Sequence, residues 1–280
     1  PLEVTSDVKG IIVDGKHISF FHEKSIANLD WESLDIDYVI ESTGKYKTFD
    51  ELNAHILAGA KKVILSAPSE VDKIKTIVLG VNETTLDGSE TIISNASCTT
   101  NNAAPMIQII DQLCGIEQAY ITTIHSFTTD QSLHDQPHKD LRRARGASQS
   151  IVPTTTGAAK ALTKIFTHLE NKMGGCGIRV PVPDGSLTDI TFNVQRAVTI
   201  EEINAAFQLA SQTNLKGILA YTEDPIVSVD VIGNKNSCLF DAQLTSVIDK
   251  MVKVVGWYDN EIGYSSRLID LILYTNRIKS

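Results

Sequence analysis

The first third of the chain alternates short apolar runs with amphipathic segments. Residues 11–13 are apolar and lead into Asp14-Gly15-Lys16, which predicts a strand followed by a hairpin turn. Residues 38–42 and 62–66 are apolar runs typical of buried parallel strands, and residues 49–58 between them have helical spacing. Strands that alternate with helices in this way predict an open α/β sheet with crossover connections.

The remainder of the chain contains longer strand-like segments with fewer helices between them. Residues 187–194 alternate, with Ile190 and Phe192 on one side, and residues 226–232 and 251–257 also have the composition of strands. This pattern predicts a second region of mixed α+β architecture.

Four segments in this part of the chain are predicted to be helical. Residues 101–113, 157–169 and 262–274 have apolar positions at helical spacing. Another helix is predicted to begin at Thr199, because Thr199 and Glu202 stand in the positions of a capping box.

Composition and charge exclude several classes of protein. The 280 residues carry 25 Lys and Arg against 34 Asp and Glu, and the net charge of −9 argues against nucleic acid or an anionic membrane as a partner. The chain contains no apolar run of membrane-spanning length. Four cysteines without C-x-x-C spacing argue against a disulfide framework and against a zinc site. A reducing, cytoplasmic location is the resulting expectation.

The candidate nucleophile is Cys98, in the polar run Ser94-Asn95-Ala96-Ser97-Cys98-Thr99-Thr100-Asn101. The run lies between a strand-like segment and a helical one, so the cysteine is predicted at a helix N-terminus, where unpaired N–H groups favour a thiolate. A buried inert cysteine is the alternative, but the surrounding run is too hydrophilic for a core. His125, in Thr122-Thr123-Ile124-His125, is the candidate base.

These two runs resemble the active-site motifs of the glyceraldehyde-3-phosphate dehydrogenases, and the likeness extends from near Pro1 to Leu273. The resemblance implies a partial Rossmann-type NAD-binding domain with a parallel sheet (residues 1–97) and a mixed α+β catalytic domain with a largely antiparallel sheet (98–259). It also implies a C-terminal helix that returns to the first domain (260–280). The implied activity is phosphorylating: glyceraldehyde 3-phosphate is oxidised with NAD and inorganic phosphate to 1,3-bisphosphoglycerate through a Cys98 thiohemiacetal and thioester.

Phosphate groups on substrate and product require anion-binding residues. Thr156 and Gly157 lie at the start of a predicted helix and offer a hydroxyl and free N–H groups, although an ordinary helix cap would look the same. Arg179 lies among apolar residues and its planar guanidinium suits a phosphate. Arg143 lies in a basic run that a solvated surface would explain equally well.

The resemblance assigns these residues to two phosphate sites. Thr128 and Arg179 would hold the phosphate of the substrate. The attacking phosphate would be held by Ser97, Thr99, Thr156, Gly157 and, by its position in the family, Arg143.

The cofactor candidates lie in two places. Ser42-Thr43-Gly44 and Ser66 follow successive predicted parallel strands, where open sheets bind ligands. By resemblance, Asn260 would hydrogen-bond the nicotinamide carboxamide and Tyr264 would pack beside the ring.

The sequence departs from the family in several positions. The phosphate-binding Gly-x-Gly-x-x-Gly turn is absent, so we expect the chain to be the remainder of a longer protein. Pro137 favours NAD over NADP, whereas Gln136 replaces a leucine common in NAD-using members. Ile262 stands where the family usually has an aromatic residue.

Two other functions stay open. One is an erythrose-4-phosphate dehydrogenase, which shares the cysteine motif, and the other is a catalytically silent binding protein with the same fold. The run Thr154-Thr155-Thr156-Gly157-Ala158-Ala159-Lys160 resembles the glyceraldehyde enzymes better. The family also implies a homotetramer, and the long polar segment 126–145 suits a loop ordered by a neighbouring subunit.

Overall fold

The computed structural model describes residues 2–278. Their strands form three sheets, of three, four and eight strands. The strands are β1 Val4–Asp7, β2 Gly10–Val13, β3 Lys16–Ser19, β4 Tyr38–Glu41, β5 Lys62–Leu65, β6 Lys75–Thr76, β7 Ile92–Ser94, β8 Ile116–Ser126, β9 Val152–Thr154, β10 Met173–Val180, β11 Ser186–Val194, β12 Leu219–Thr222, β13 Cys238–Asp241, β14 Ser246–Ile248 and β15 Met251–Tyr258. The α-helices are α1 Phe49–Leu57, α2 Cys98–Cys114, α3 Ala158–Ile165, α4 Ile200–Gln212 and α5 Ile262–Arg277.

The first sheet is the antiparallel meander β1-β2-β3. Asp14 and Gly15 both have positive φ angles, 47° and 77°, as a tight hairpin turn of the mirror-image type requires. The hairpin predicted from the sequence is therefore confirmed.

The second sheet is parallel throughout, in the order β4-β5-β7-β6. Its strand β5 is buried on both faces. Val63 and Leu65 pack with Leu52 of α1, whereas Ile64 packs with Leu268 and Leu271 of α5. The alternation of side chains along a strand explains how one four-residue segment serves two helix layers.

The third sheet has the order β12-β13-β15-β11-β8-β10-β9, with β14 on β15. Two of its pairings, β10 with β8 and β12 with β13, are parallel and the others are antiparallel. Phe192 of β11, Met106 of α2 and the stacked pair Phe207–Phe240 lie in one core, with ring centroids of the pair 3.8 Å apart. The predicted fold class, a parallel sheet plus a mixed, largely antiparallel sheet, is confirmed. The predicted domain boundaries stay a prediction.

Two sequence predictions are wrong in detail. Residues 226–232 are not a strand: Ser228–Val231 form a 3₁₀ turn, because the Asp230 carboxylate accepts from the Val227 amide and gives the backbone a local alternative to a sheet. Helix α2 begins at Cys98 and not near residue 101, because the hydroxyl of Ser97 caps it by accepting from the Thr100 amide. The predicted capping box of Thr199 and Glu202 is present.

Candidate active site

Cys98 is the first residue of α2. The preceding Ala96 has a left-handed backbone, with φ of 57°, and this turns the chain sharply from β7 into the helix. The Sγ atom of Cys98 lies 3.4 Å from Nε2 of His125. The side chain is partly exposed at the surface of a cavity and is otherwise surrounded by protein.

His125 lies one residue before the end of β8, with only 6% of its surface exposed. Its Nδ1 is 2.7 Å from the carbonyl oxygen of Ser126, and an Arg179 nitrogen is 2.8 Å from the same Nδ1. A carbonyl only accepts and a guanidinium only donates, so both contacts cannot be hydrogen bonds of Nδ1 at once. Because Arg179 also donates to the Ser126 oxygen at 2.9 Å, we assign the ring hydrogen to Nδ1. That tautomer leaves Nε2 free to accept the thiol proton.

Burial opposes the stabilisation of a thiolate that the helix N-terminus is predicted to give, and that stabilisation stays a prediction. Burial raises the pKa of the Cys98 thiol, against the opposing effects of Thr99 hydrogen bonds and the Arg179 charge. Burial, and next the Arg179 charge, lower the pKa of His125 to about 4. Proton transfer from Sγ to Nε2 creates two charges that attract each other, so the two groups titrate as a pair.

Arg179 reaches the site because of strand register. On the parallel pair β10 and β8, Arg179 lies directly beside His125, so the two side chains share one face of the sheet. Burial lowers the pKa of the guanidinium, although it stays charged in the neutral range. A planar cation that is largely buried, beside the nucleophile, suits a bound anion.

Eight of the predicted residues meet at one cavity of about 180 Å³. They are Ser97, Cys98, Thr99, His125, Arg143, Thr156, Gly157 and Arg179. The N-cap of α3 is Gly157, so Thr156 is not the helix cap that the sequence left open; its hydroxyl accepts from the Ala158 amide from the position before the cap. The cavity therefore brings the residues proposed for the attacking phosphate, together with Arg179 of the substrate-phosphate pair, to the thiol.

Thr128 does not line this cavity, but it is connected to it through Asp130. The Thr128 hydroxyl donates to the Asp130 carboxylate, which also pairs with Arg143. Burial acts to raise the pKa of Asp130, but the Thr128 hydroxyl and the positive charges of Arg143 and Arg179 outweigh it and lower the pKa. Arg143 also donates to the Thr154 hydroxyl at 2.9 Å, so it is ordered and does not belong to a freely solvated basic run.

The cofactor candidates form a second group. Ser42, Thr43 and Gly44 follow β4, and Ser66 follows the adjacent parallel strand β5. Asn260 follows β15, and its Oδ1 accepts from the hydroxyls of Ser126 and Ser186, both at 2.8 Å. The hydroxyl of Tyr264 donates to the carbonyl of Ala96, just before the cysteine turn.

Sequence reasoning missed the residue that joins the two reactive elements. The buried hydroxyl of Tyr258 is 2.9 Å from the hydroxyls of Thr99 and Thr123, so it ties the first turn of α2 to β8. Its ring also packs edge-on against His125 at 5.9 Å. A buried tyrosine needs a hydrogen-bond partner for its hydroxyl. In the run Trp257-Tyr258-Asp259-Asn260, this requirement could have indicated a role for Tyr258 in the site.

Comparison with known proteins identifies the family. The model of the glyceraldehyde 3-phosphate dehydrogenase C-terminal domain matches residues 97–260, and the model of the NAD binding domain matches residues 1–49. Glyceraldehyde-3-phosphate dehydrogenase 2 of Streptomyces avermitilis is 52% identical over 274 residues, which is 97% of this chain and 82% of that protein. The chain belongs to the glyceraldehyde-3-phosphate dehydrogenase family.

Two further relatives are also named glyceraldehyde-3-phosphate dehydrogenases. The glyceraldehyde-3-phosphate dehydrogenase of Mycobacterium tuberculosis strain H37Rv is 52% identical over 246 residues, covering 88% of this chain and 72% of that protein. Glyceraldehyde-3-phosphate dehydrogenase 2 of Bacillus subtilis is 48% identical over 272 residues, covering 96% and 80%. Among residues 2–278, no helix is long and apolar enough to cross a membrane, and no cluster of residues suits a metal ion.

NAD is the cofactor that the family model supports, and Asn260 fits one end of it. Because Oδ1 of Asn260 is held by two hydroxyls, its amide NH₂ points the other way and has no hydrogen-bond partner among residues 2–278. A fixed amide donor is suited to a carboxamide oxygen.

Proposed function

We propose that this protein is an NAD-dependent, phosphorylating glyceraldehyde-3-phosphate dehydrogenase. The observation that carries the proposal is the Cys98–His125 contact of 3.4 Å in one cavity with Arg179, Thr156 and Gly157. A nucleophile, a base and two groups of anion ligands are what oxidation of a phosphorylated aldehyde to an acyl phosphate requires.

In the first step, sulfur of Cys98 attacks the aldehyde carbon. The thiol proton passes to Nε2 of His125 and from there to the carbonyl oxygen, which gives a neutral thiohemiacetal. The N–H of Cys98 and the imidazole stabilise the negative charge that builds up on that oxygen. Arg179 and Thr128 hold the phosphate of the substrate, so that its aldehyde lies at the sulfur.

In the second step, His125 takes the hydroxyl proton while the carbon loses a hydride, and a thioester to Cys98 remains. NAD, when bound, supplies the acceptor for that hydride. Asn260 and Tyr264 would fix the face of the nicotinamide ring, and Ser42, Thr43, Gly44 and Ser66 would contact the rest of the cofactor. A neutral Nε2 is required here, and the lowered pKa of His125 keeps it unprotonated at pH 7.

In the third step, inorganic phosphate attacks the thioester carbon and the sulfur leaves as a thiolate. Ser97, Thr99, Thr156, Gly157 and Arg143 hold the attacking phosphate on the α3 side of the cavity. The product is an acyl phosphate, and His125 returns its proton to Cys98, which restores the starting state.

The test is turnover of the purified protein with glyceraldehyde 3-phosphate, NAD and phosphate. We expect NADH formation that needs phosphate and an acyl phosphate that hydroxylamine traps. A preference for erythrose 4-phosphate would favour that relative's activity, and no turnover with a reactive Cys98 would favour a silent binding protein. Replacing NAD by NADP tests the cofactor choice.

We also propose that the protein acts in glycolysis, in the cytoplasm, and as a homotetramer. Membership of the glyceraldehyde-3-phosphate dehydrogenase family supports this proposal. Light scattering of the purified protein tests the assembly, with a mass of four chains expected.

A further inference from the structure

A buried polar network lies behind the loop after β4, outside the cavity at Cys98. Glu41, the last residue of β4, and His55, in α1, are each only 4% exposed. A buried carboxylate is costly unless hydrogen bonds satisfy it, so its partners show what it holds in place.

The direction of the hydrogen bonds in this network is fixed by Trp31. Its indole N–H donates to Nδ1 of His55 at 3.1 Å, and an indole can only donate. The neutral ring therefore carries its hydrogen on Nε2, which faces Oε2 of Glu41 at 3.2 Å. Nδ1 of His55 therefore accepts from the Trp31 indole, and Nε2 of the same ring donates to the Glu41 carboxylate.

The other oxygen of Glu41 holds the loop. Oε1 accepts from the Thr43 backbone N–H at 2.7 Å and from the Thr43 hydroxyl, whose oxygen then accepts from the Lys45 amide at 3.2 Å. At the far end of the loop, Thr48 and Glu51 form a capping box on α1. The loop is thus held at both ends, and Ser42, Thr43 and Gly44 lie exposed between them.

We propose that Trp31, His55 and Glu41 are positioning residues that hold Ser42-Thr43-Gly44 in the shape that receives the dinucleotide. This inference rests on the proposed function, because it takes that loop as part of the NAD site. A buried carboxylate at position 41 stabilises the fold less than a well-packed apolar residue would. Both hydrogen bonds that Oε1 of Glu41 accepts come from Thr43, so the carboxylate acts on the loop.

The first test compares Glu41→Gln with Glu51→Gln. A glutamine at 41 must turn its NH₂ toward either Thr43 N–H or His55 Nε2–H, so one bond is lost. Glu51→Gln removes a charge at an exposed position of the same helix, but its amide oxygen can still accept from the Thr48 amide, so both the cap and the network stay in place. The measurements are NAD affinity by calorimetry, amide exchange of the peptide containing Thr43, and alkylation of Cys98.

For Glu41→Gln we expect about tenfold weaker NAD binding, the scale of one hydrogen bond to a charged group, with faster exchange at Thr43 and unchanged alkylation of Cys98. Glu51→Gln should change NAD affinity less than about twofold. Trp31→Phe, which removes the indole donor together with part of the ring, is the second variant if Glu41→Gln folds poorly, and we expect a change of NAD affinity in the same direction but smaller.

Three outcomes overturn the inference. Unchanged NAD affinity despite faster exchange at Thr43 means that the loop is held for stability only. Unchanged exchange means that the network does not hold the loop. An equal loss of NAD affinity in Glu51→Gln means that general helix stability is responsible. In each case, wild-type turnover with NAD leaves the proposed function standing, whereas a wild-type protein that binds no NAD overturns both.

Discussion

The eight-stranded sheet and the four-stranded parallel sheet present their functional candidates in different ways. In the larger sheet the candidate base and the arginine beside it lie within long strands: His125 on β8, of 11 residues, and Arg179 on β10, of 8 residues. In the smaller sheet, whose strands have 2 to 4 residues, the cofactor candidates Ser42, Thr43, Gly44 and Ser66 lie on the loops that follow β4 and β5. His125 is almost fully buried, whereas residues 42–44 are exposed.

This difference suggests a division of labour. Bond making at sulfur requires groups held to within a fraction of an ångström, which long paired strands provide. Binding a large cofactor tolerates loops, provided that something rigid supports them. We therefore expect substitutions in the larger sheet to change rate constants, and substitutions behind the smaller sheet to change affinity.

The largest expected effect is that of His125→Asn. Loss of the proton acceptor should slow hydride transfer by about two to four decades, the usual contribution of a general base. Pre-steady-state NADH formation measures it, and NAD affinity should stay unchanged. A burst rate equal to that of the wild type would show that His125 is not the base. The comparison between the two sheets would then lose its main support.

The second largest effect is expected for Arg179→Leu. Loss of a charge-assisted guanidinium–phosphate pair should lower kcat/KM for glyceraldehyde 3-phosphate by roughly 2–3 kcal/mol, a factor of about 30 to 150, but hardly affect unphosphorylated glyceraldehyde. Arg145→Leu is the control, because its side chain is exposed and, within residues 2–278, forms its ion pair with Asp135 alone. Equal losses for the two aldehydes would show that Arg179 only supports the fold around His125.

Thiol reactivity gives a smaller contrast. Cys114 and Cys238 are buried outside the cavity, whereas Cys98 is partly exposed in it and faces Nε2 of His125, so iodoacetamide should label Cys98 first, by about tenfold or more. The competitor is the partly exposed Cys176 on β10. Peptide mapping after limited labelling decides, and initial labelling at any other cysteine would contradict the assignment of Cys98.

How far the sequence predicts the molecule differs between the two sheets. The strands around Tyr38 and Lys62 were predictable because their apolar runs are continuous, and the Thr199 cap because its partner is three residues away. Hydrophobic pattern could not place Arg179 beside His125, since 54 residues separate them and only register joins them. The family resemblance placed both residues in one site but did not predict that they lie side by side. The Trp31–His55–Glu41 network was missed because each of its residues, taken alone, looks ordinary.

The smallest expected effect is on stability in acid, and it belongs to the larger sheet. The folded protein holds the pKa of His125 at about 4, below the 6.5 of a free histidine, because burial and Arg179 disfavour the imidazolium. Between these values the unfolded chain binds a proton that the folded site does not. The stabilisation is therefore present above about pH 6.5 and is lost as the pH falls toward 4. At pH 5 the loss of unfolding free energy from this group should be about 2 kcal/mol.

Urea unfolding at pH 7 and pH 5 measures this loss. The drop in unfolding free energy between the two pH values should be smaller by that amount in His125→Asn than in the wild type. Replacement of the exposed His134 by Asn should leave the drop unchanged. Equal drops in the wild type and His125→Asn would mean that the buried imidazole accepts a proton in the folded state as readily as in the unfolded chain, and the reason for assigning it as an unprotonated base at neutral pH would be gone.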